Sequence, residues 1–136
     1  MLGINALILV AVLGGALGVA AIVKAIVAKA ATSGGRSLVR EGDTRPKLVY
    51  FWTPSCAVCR STQSRIVDEV AREFGEGAEV IKINAHDEPE KARAFRVMTV
   101  PTIVVLSPDG TVRTVNTGVV DGDTLGKQLR ASRKAA

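Results

Sequence analysis

The chain contains few residues that bind metals or form disulfides. Its 136 residues include two cysteines and one histidine. A small secreted protein held together by disulfides has several cysteines spread along its length, so the sequence argues against this class. A zinc site uses about four Cys, His or carboxylate ligands, and the scarcity of cysteine and histidine argues against one. Both cysteines belong to one Cys-x-x-Cys unit, Cys56 to Cys59, which is typical of a single reactive dithiol.

Charged side chains are absent from the first 23 residues. Within them, Ile4–Val23 is an apolar run of about 20 residues, which as a helix is long enough to cross a bilayer core about 30 Å thick. The alternative is a removable signal peptide, but no Lys or Arg precedes the run, and the run exceeds the usual apolar region of about 7–15 residues. We therefore expect an uncleaved transmembrane helix over residues 1–24.

The basic side chains of this half of the chain all follow the apolar run. Because positively charged flanks tend to stay in the cytoplasm, we predict a single-pass protein of the cell membrane with its N terminus outside. Its C-terminal domain, residues 47–136, is then cytoplasmic, and an extracytoplasmic domain is the alternative. Residues 25–46 are basic and rich in polar residues and glycine, which predicts a juxtamembrane linker near anionic lipid headgroups.

A basic stripe that would bind nucleic acid is also missing. The net charge is +5; residues 1–46 carry five basic and two acidic side chains, whereas residues 47–136 carry 13 basic and 11 acidic ones. The C-terminal domain is therefore mixed in sign. We expect no nucleic-acid partner.

The C-terminal domain shows the alternating strand and helix patterns of an α/β protein. Four runs rich in apolar, aromatic or β-branched residues predict strands, and the turn Ser107–Gly110 joins the last two as a hairpin. The predicted strands are Lys47–Trp52, Glu79–Asn84, Thr102–Leu106 and Thr111–Thr117. Apolar positions at three- and four-residue steps predict a helix over Ala57–Phe74. Asp87 with Glu90 resembles a capping box and Pro89 suits a first turn, which predicts a short helix that runs to about Phe95. A final helix carries Leu125 and Leu129. This order predicts a mixed four-stranded sheet covered by helices on both faces.

Cys56 is predicted at the junction between the first strand and the following helix. There the unpaired N–H groups and the helix dipole stabilise an anion, so we expect a lowered pKa for the Cys56 thiol and a nucleophilic thiolate near neutral pH. Cys59 follows one turn later on the same face, within reach of a mixed disulfide at Cys56, and is expected to be recessed. Such a pair carries out thiol–disulfide exchange in two steps.

A Cys-x-x-Cys pair has other uses. Zinc needs more ligands than this chain supplies, and we expect His86 at a surface turn. Attachment of haem requires a histidine directly after the second cysteine, where Arg60 stands. We therefore predict no metal and no cofactor, while a metal carrier that uses the dithiol at a dimer interface stays a weaker alternative.

The segment Phe51–Arg60 (FWTPSCAVCR) resembles the active-site segment of the thioredoxin family. Further matches in the family's order are Lys82–Asn84, Val100–Thr102 and Gly118. The resemblance covers roughly residues 47–130. It implies a minimal thioredoxin-like fold, in which the strand and helix that usually precede the first core strand are absent or vestigial. With the predicted transmembrane helix, the chain would be a membrane-anchored member.

The resemblance also implies roles for residues outside the dithiol. Pro101 should be a cis-proline facing the two cysteines, and Val100 should offer its backbone groups to an extended substrate. The alternative is a trans-proline that begins a strand. Trp52 should form a wall of the site, which is compatible with a place in the core.

Three departures from the family pattern concern the redox properties of the dithiol. Ala57 and Val58 stand between the cysteines, where the best-known members have Gly-Pro. Tyr50 takes the place of a buried aspartate that helps to deprotonate the second cysteine, and with an ordinary pKa near 10 it is a poor base at neutral pH. Lys82 matches the family's lysine beside that site but lacks its carboxylate. We expect Tyr50 and Lys82 to tune the dithiol, although a solvated lysine is the alternative for Lys82.

The sequence thus predicts an enzyme, a membrane-tethered thiol–disulfide oxidoreductase. Its expected partners are disulfide-containing proteins or small thiol compounds, with electrons from a thioredoxin reductase or a low-molecular-weight thiol. A thioredoxin-like adaptor that binds partners with little redox turnover is the alternative from another class.

Overall fold

The computed structural model describes residues 2–134. A long helix precedes a small α/β domain of four strands and three further helices. The helices are α1 (Leu2–Arg36), α2 (Ser64–Phe74), α3 (Pro89–Ala94) and α4 (Gly122–Arg133). A π-helical turn, Cys59–Gln63, leads directly into α2, and a 3₁₀ turn, Gly75–Gly77, follows it. The strands are β1 (Lys47–Trp52), β2 (Glu79–Asn84), β3 (Thr102–Leu106) and β4 (Val112–Thr117).

The four strands form one mixed sheet in the order β2-β1-β3-β4. Strands β1 and β2 are parallel, since the chain returns through α2, whereas β3 runs antiparallel to both β1 and β4. In this register Tyr50 on β1 lies between Lys82 on β2 and Ile103 on β3. The predicted mixed four-stranded sheet is confirmed.

The sheet separates two hydrophobic clusters. Because side chains alternate across a strand, Leu48 and Tyr50 point to one face of β1 and Val49 and Phe51 to the other. All four are fully buried, since β1 is a central strand with helices on both sides. The first cluster includes residues of α2 and α4, and the second includes residues of α3. The predicted covering of both faces is confirmed.

The prediction for the N-terminal segment is wrong. Among residues 2–134, no helix combines the length and the apolar character needed to cross a membrane. The single-pass membrane protein, the cytoplasmic placement that followed from its charged flank, and the membrane as a partner are therefore not supported.

The C-terminal end of α1 packs against the α/β domain. Gly34 and Gly35 are buried there. A Cβ atom at Gly34 would lie 3.1 Å from the backbone of Ala94, and one at Gly35 would overlap the carbonyl oxygen of Gly110. The backbone of the last helical turn therefore lies directly against the β3–β4 turn, an approach that only glycine allows.

A cluster of charged residues holds the segment that enters β1. The Lys47 side chain is fully buried, with its Nζ 2.7 Å from Oδ2 of Asp43 and 3.1 Å from Oε2 of Glu79. Arg45 also donates to Asp43, through its backbone N–H and its guanidinium. Hydrogen bonds from Arg45 and Lys47 hold the pKa of Asp43 well below its usual range. This cluster lies at the opposite end of β1 from the two cysteines.

Candidate active site

The two cysteines lie where β1 passes into the helix that follows it. After Trp52, the turn at Thr53–Ser55 ends with the N–H of Cys56 donating to the carbonyl of Thr53 over 3.2 Å. The carbonyl of Cys56 accepts the first helical hydrogen bond, from the N–H of Arg60 over 3.3 Å. Cys56 therefore lies directly before the first residue of the helix, where the N–H groups of the first turn are free to face an anion.

Cys56 and Cys59 form a disulfide in this structure, with their Cα atoms 5.3 Å apart. Cys59 is fully buried in the cluster between the sheet, α2 and α4, whereas Cys56 is half-buried at its edge. The N–H of Cys59 donates to Sγ of Cys56 over 3.2 Å. Cys56 is therefore the more exposed of the two sulfurs, and a backbone N–H points at it.

The helix after Cys56 begins with a wider turn than the sequence pattern indicates. From Cys59 to Gln63 it is π-helical, and the N–H of Ser64 donates to the carbonyl of Cys59, five residues back. Turns of this kind often occur at functional sites. The apolar periodicity of Ala57–Phe74 predicted a regular helix, because a spacing of three and four residues does not show which carbonyl each N–H meets.

Tyr50 is fully buried beneath this turn. Its hydroxyl lies 3.4 Å from the carbonyl oxygen of Cys59 and 3.2 Å from Oγ of Ser64. Burial raises the pKa of Tyr50, and the nearby Asp68 carboxylate raises it further, while the hydrogen bond with Ser64 acts in the opposite direction. The structure thus places the predicted tuning residue under the backbone of the second cysteine, as a phenol that stays protonated at neutral pH.

Lys82 lies on β2 beside Tyr50, at the outer side of the site. Its Nζ is 2.5 Å from Oδ1 of Asp68 on α2, and both side chains are about half exposed. The carboxylate that the sequence pattern lacked near Lys82 is therefore supplied by α2. Asp68 was missed because it comes from a helix face and not from β1, so no spacing in the sequence connects it with Lys82.

The Val100–Pro101 peptide bond is cis, as the resemblance implied. The carbonyl of Pro101 accepts from the N–H of Gly118 over 2.9 Å, which joins this loop to the end of β4. The hydroxyl of Thr102 donates to the carbonyl of Thr99 over 2.7 Å and closes the loop from its other side. The cis peptide is thus held from both sides at the start of β3.

Several apolar side chains around the cysteines pack against one core cluster. These half-buried side chains include Trp52, Cys56, Val100 and Val120. An open groove of about 320 Å³ continues on the other side of Val100, lined by Thr53, Ala85, Ala92, Val97 and Met98 among others. Met98 is 94% exposed at its rim. Trp52, Val100 and the dithiol therefore lie together, whereas Tyr50 and Lys82 lie below and beside them.

Gln63 was not singled out from the sequence as part of the site. It is fully buried, and its amide pairs with both backbone groups of Val120: Nε2 donates to the carbonyl over 3.1 Å, and Oε1 accepts from the N–H over 2.9 Å. The one available signal is a polar residue on the otherwise apolar buried stripe of the dithiol helix.

No group of three or more His, Cys, Asp or Glu side chains arranged to hold a metal ion is found among residues 2–134. The histidine, His86, is exposed, and its N–H donates to the side chain of Asn84.

Comparison with known proteins gives a consistent result. A family model described as Thioredoxin matches residues 28–131. The chain is similar to a thioredoxin of Pyropia yezoensis, with 38% identity over 84 residues that cover 62% of this chain and 77% of that protein. It is also similar to thioredoxin 1 of Synechococcus elongatus, with 33% identity over the same coverage.

Solved structures agree on the fold. One of them is the structure of thioredoxin-2, which is described as a component of the malaria parasite protein secretion machinery. It superposes with a TM-score of 0.60 at 23% identity, covering 64% of this chain and 82% of that one.

Proposed function

The chain belongs to the thioredoxin family and is a thiol–disulfide oxidoreductase, and we propose that Cys56 is its attacking thiol and Cys59 its resolving thiol. The difference in burial between the two cysteines carries this assignment. Cys56 is half-buried at the edge of the core, and Cys59 is fully buried one turn further on. A substrate disulfide that approaches from solvent therefore meets Cys56 first.

The reduced enzyme acts by two displacements. The Cys56 thiolate attacks one sulfur of the substrate disulfide; that S–S bond breaks, and the other substrate sulfur leaves as a thiolate. The Cys59 thiolate then attacks Sγ of Cys56, releases the second substrate sulfur and forms the Cys56–Cys59 disulfide. Two electrons pass from the dithiol to the substrate, and the two protons of the enzyme thiols end on the two substrate thiols.

Two features of the helix start favour the Cys56 thiolate. The first N–H groups of the helix are unpaired within it, and the N–H of Cys59 points at Sγ of Cys56 over 3.2 Å. Both place partial positive charge next to the sulfur. An ordinary cysteine has a pKa of about 8.5, and such surroundings lower it.

In this proposal Tyr50 has a structural role and takes no part in proton transfer. A phenol whose pKa is raised by burial stays protonated at neutral pH and accepts no proton from Cys59. Its hydroxyl instead donates towards the carbonyl of Cys59. Lys82 is engaged with Asp68, so we propose that it contributes charge near the site and does not contact a sulfur.

Substrate binds across Trp52, Val100 and Pro101 in this proposal. Trp52 and Val100 pack against the same cluster as Cys56, and the cis bond at Pro101 sets the course of the loop beside them. An extended peptide with a disulfide can then pair with the backbone of Val100 while its sulfur lies at Cys56. Residues 47–136 supply all of these groups, and we assign the catalytic domain to them.

The partners in this proposal are disulfide-containing proteins or small disulfides as oxidants. A reductase of the thioredoxin reductase kind, or a low-molecular-weight thiol, returns electrons to Cys56 and Cys59. No cofactor takes part, because the dithiol itself carries the two electrons.

Trapping of the mixed disulfide tests the assignment. The full chain with Cys59→Ser, incubated with a peptide that contains one disulfide, should accumulate a covalent adduct at Cys56. The matched Cys56→Ser variant should accumulate none, because Cys59 is buried. Equal trapping by both variants would contradict the assignment of Cys56 as the attacking thiol. Trapping by the unmodified chain without turnover would favour an adaptor.

A further inference from the structure

Gln63 makes a pair of hydrogen bonds that resembles one rung of a sheet. Its amide donates to the carbonyl of Val120 and accepts from the N–H of the same residue, over 3.1 and 2.9 Å. Val120 lies in the segment between β4 and α4, which has no neighbouring strand there. The side chain of Gln63 therefore satisfies the backbone of this segment where a strand partner would otherwise be required.

These hydrogen bonds connect three parts of the site. Gln63 belongs to the same π-helical turn as Cys59. Two residues before Val120, the N–H of Gly118 donates to the carbonyl of Pro101. Hydrogen bonds thus connect the helix that carries the cysteines to the segment Gly118–Val120, and that segment to the loop of the cis-proline. The side-chain amide of Gln63 makes the first connection.

We infer that Gln63 is a positioning residue, which holds Gly118–Val120 at a set distance from the dithiol and thereby determines how well an extended disulfide substrate is bound. This inference rests on the proposed function. It follows from burial and geometry: Gln63 is fully buried and its amide bonds to Val120, while Val120 packs against the cluster that contains Cys59 and supports Cys56. Loss of the amide frees the segment without changing the helix start around Cys56.

The test compares a large and a small substrate in the full-length chain. Gln63→Leu keeps the volume and loses both hydrogen bonds. We expect its KM for a disulfide-containing peptide to rise about five- to tenfold, the range for two side-chain hydrogen bonds of modest net strength. We expect its rate with Ellman's reagent, a small aromatic disulfide that needs no extended contact, to change less than about twofold.

Gln128→Leu is the matched control. Gln128 on α4 exchanges two amide hydrogen bonds with Asn116, over 2.8 and 2.9 Å, away from the cysteines. Its loss should lower stability to a similar degree and leave the KM for the peptide unchanged. A purely structural role for Gln63 would give the same result in both variants.

Gln63→Glu covers the case in which the leucine variant does not fold. Its ionised carboxylate keeps the acceptor for the N–H of Val120 but loses the donor, and burial raises its pKa so that protonation restores a donor as the pH falls. The ratio of its KM to that of the unmodified enzyme should therefore fall towards one between about pH 8 and about pH 6.

The outcomes are distinguishable. An unchanged KM for the peptide in a folded Gln63→Leu variant, or a Gln63→Glu ratio that does not respond to pH, overturns the positioning role. An unmodified enzyme that reduces neither substrate overturns the proposed function itself.

Discussion

The hydroxyl of Tyr50 lies 3.4 Å from the carbonyl oxygen of Cys59. From there the buried phenol supports the backbone of the helix that carries the two cysteines. The same carbonyl accepts a hydrogen bond from the backbone N–H of Ser64. The Tyr50 hydroxyl also lies 3.2 Å from Oγ of Ser64. The π-helical turn therefore has support from β1 as well as from its own backbone. Tyr50, which was expected to tune the dithiol although it is a poor base, therefore contacts Cys59 through the main chain.

Tyr50→Phe should therefore affect stability more than catalysis. The variant loses one buried hydroxyl with its hydrogen bonds, so we expect the free energy of unfolding to fall by about 1 kcal/mol in urea titrations. The lifetime of the mixed disulfide should change less than about threefold, because Ser64 still holds the carbonyl of Cys59. A mixed disulfide that persists in the folded variant would show that Tyr50 takes part in proton transfer.

The Cys56 thiol should react as a thiolate below the usual pH range. Alkylation of the reduced chain by iodoacetamide, measured as a rate against pH, should have its midpoint below about 8.5, the value of an ordinary cysteine. The Cys59→Ser variant should keep a lowered midpoint, because the donor that faces Sγ of Cys56 is a backbone N–H. A midpoint at or above that of free cysteine would contradict this account of the helix start.

Asp43→Asn should change how stability depends on pH. The folded-state pKa of Asp43 is depressed, so its contribution is fully present above the unfolded value of about 3.9 and is lost as the pH falls towards the folded value. We therefore expect the variant to be less stable than the unmodified chain at neutral pH, and the difference to shrink below about pH 4.

The control for this prediction is Asp68→Asn, which removes the half-exposed ion pair with Lys82. Exposed pairs contribute little, so its effect in the same denaturation series should be below about 1 kcal/mol. If the difference in stability between Asp43→Asn and the unmodified chain stayed constant down to about pH 3, the pKa of Asp43 would not be depressed in the folded state.

Gly35→Ala should disrupt the packing of α1 on the domain. The added methyl would overlap the carbonyl oxygen of Gly110, which is backbone and cannot rotate away. We expect a loss of about 1–3 kcal/mol, typical of overpacking, and faster proteolysis within residues 37–45.

Gly15→Ala is the control, because a Cβ at Gly15 meets nothing within 4 Å. This variant should keep or raise stability, since alanine favours a helix over glycine by about 1 kcal/mol. Equal proteolysis of the two variants would mean that the end of α1 does not depend on this close contact.

The sequence predicted the strands almost to the residue. Lys47–Trp52, Glu79–Asn84 and Thr102–Leu106 are observed with the predicted ends, and the last strand begins one residue later than expected, at Val112. Strand positions depend on local patterns of β-branched and apolar residues bounded by turns, and these patterns are visible in the chain itself. The cis bond before Pro101 followed from the family resemblance, since composition alone does not distinguish the two isomers.

The N-terminal prediction rested on the length and apolar character of Ile4–Val23. No helix among the described residues qualifies as a membrane span. The polar continuation of Ile4–Val23 also read as a linker, whereas the helix continues to Arg36 and its last turn packs on the β3–β4 turn. That packing depends on the shape of a partner surface that the segment does not encode.

What the sequence determined by itself was the spacing of Cys56 and Cys59 at a strand–helix junction, and with it the chemistry, because both depend on residues within a few positions of one another. The tertiary structure decided which groups surround that pair. Asp68 reaches Lys82 from a helix, Gln63 reaches Val120 across 57 positions of the chain, and Tyr50 reaches the carbonyl of Cys59 from the strand below. Such contacts arise only when the sheet and helices pack, since side-chain spacing along one element says nothing about the backbone it meets on another.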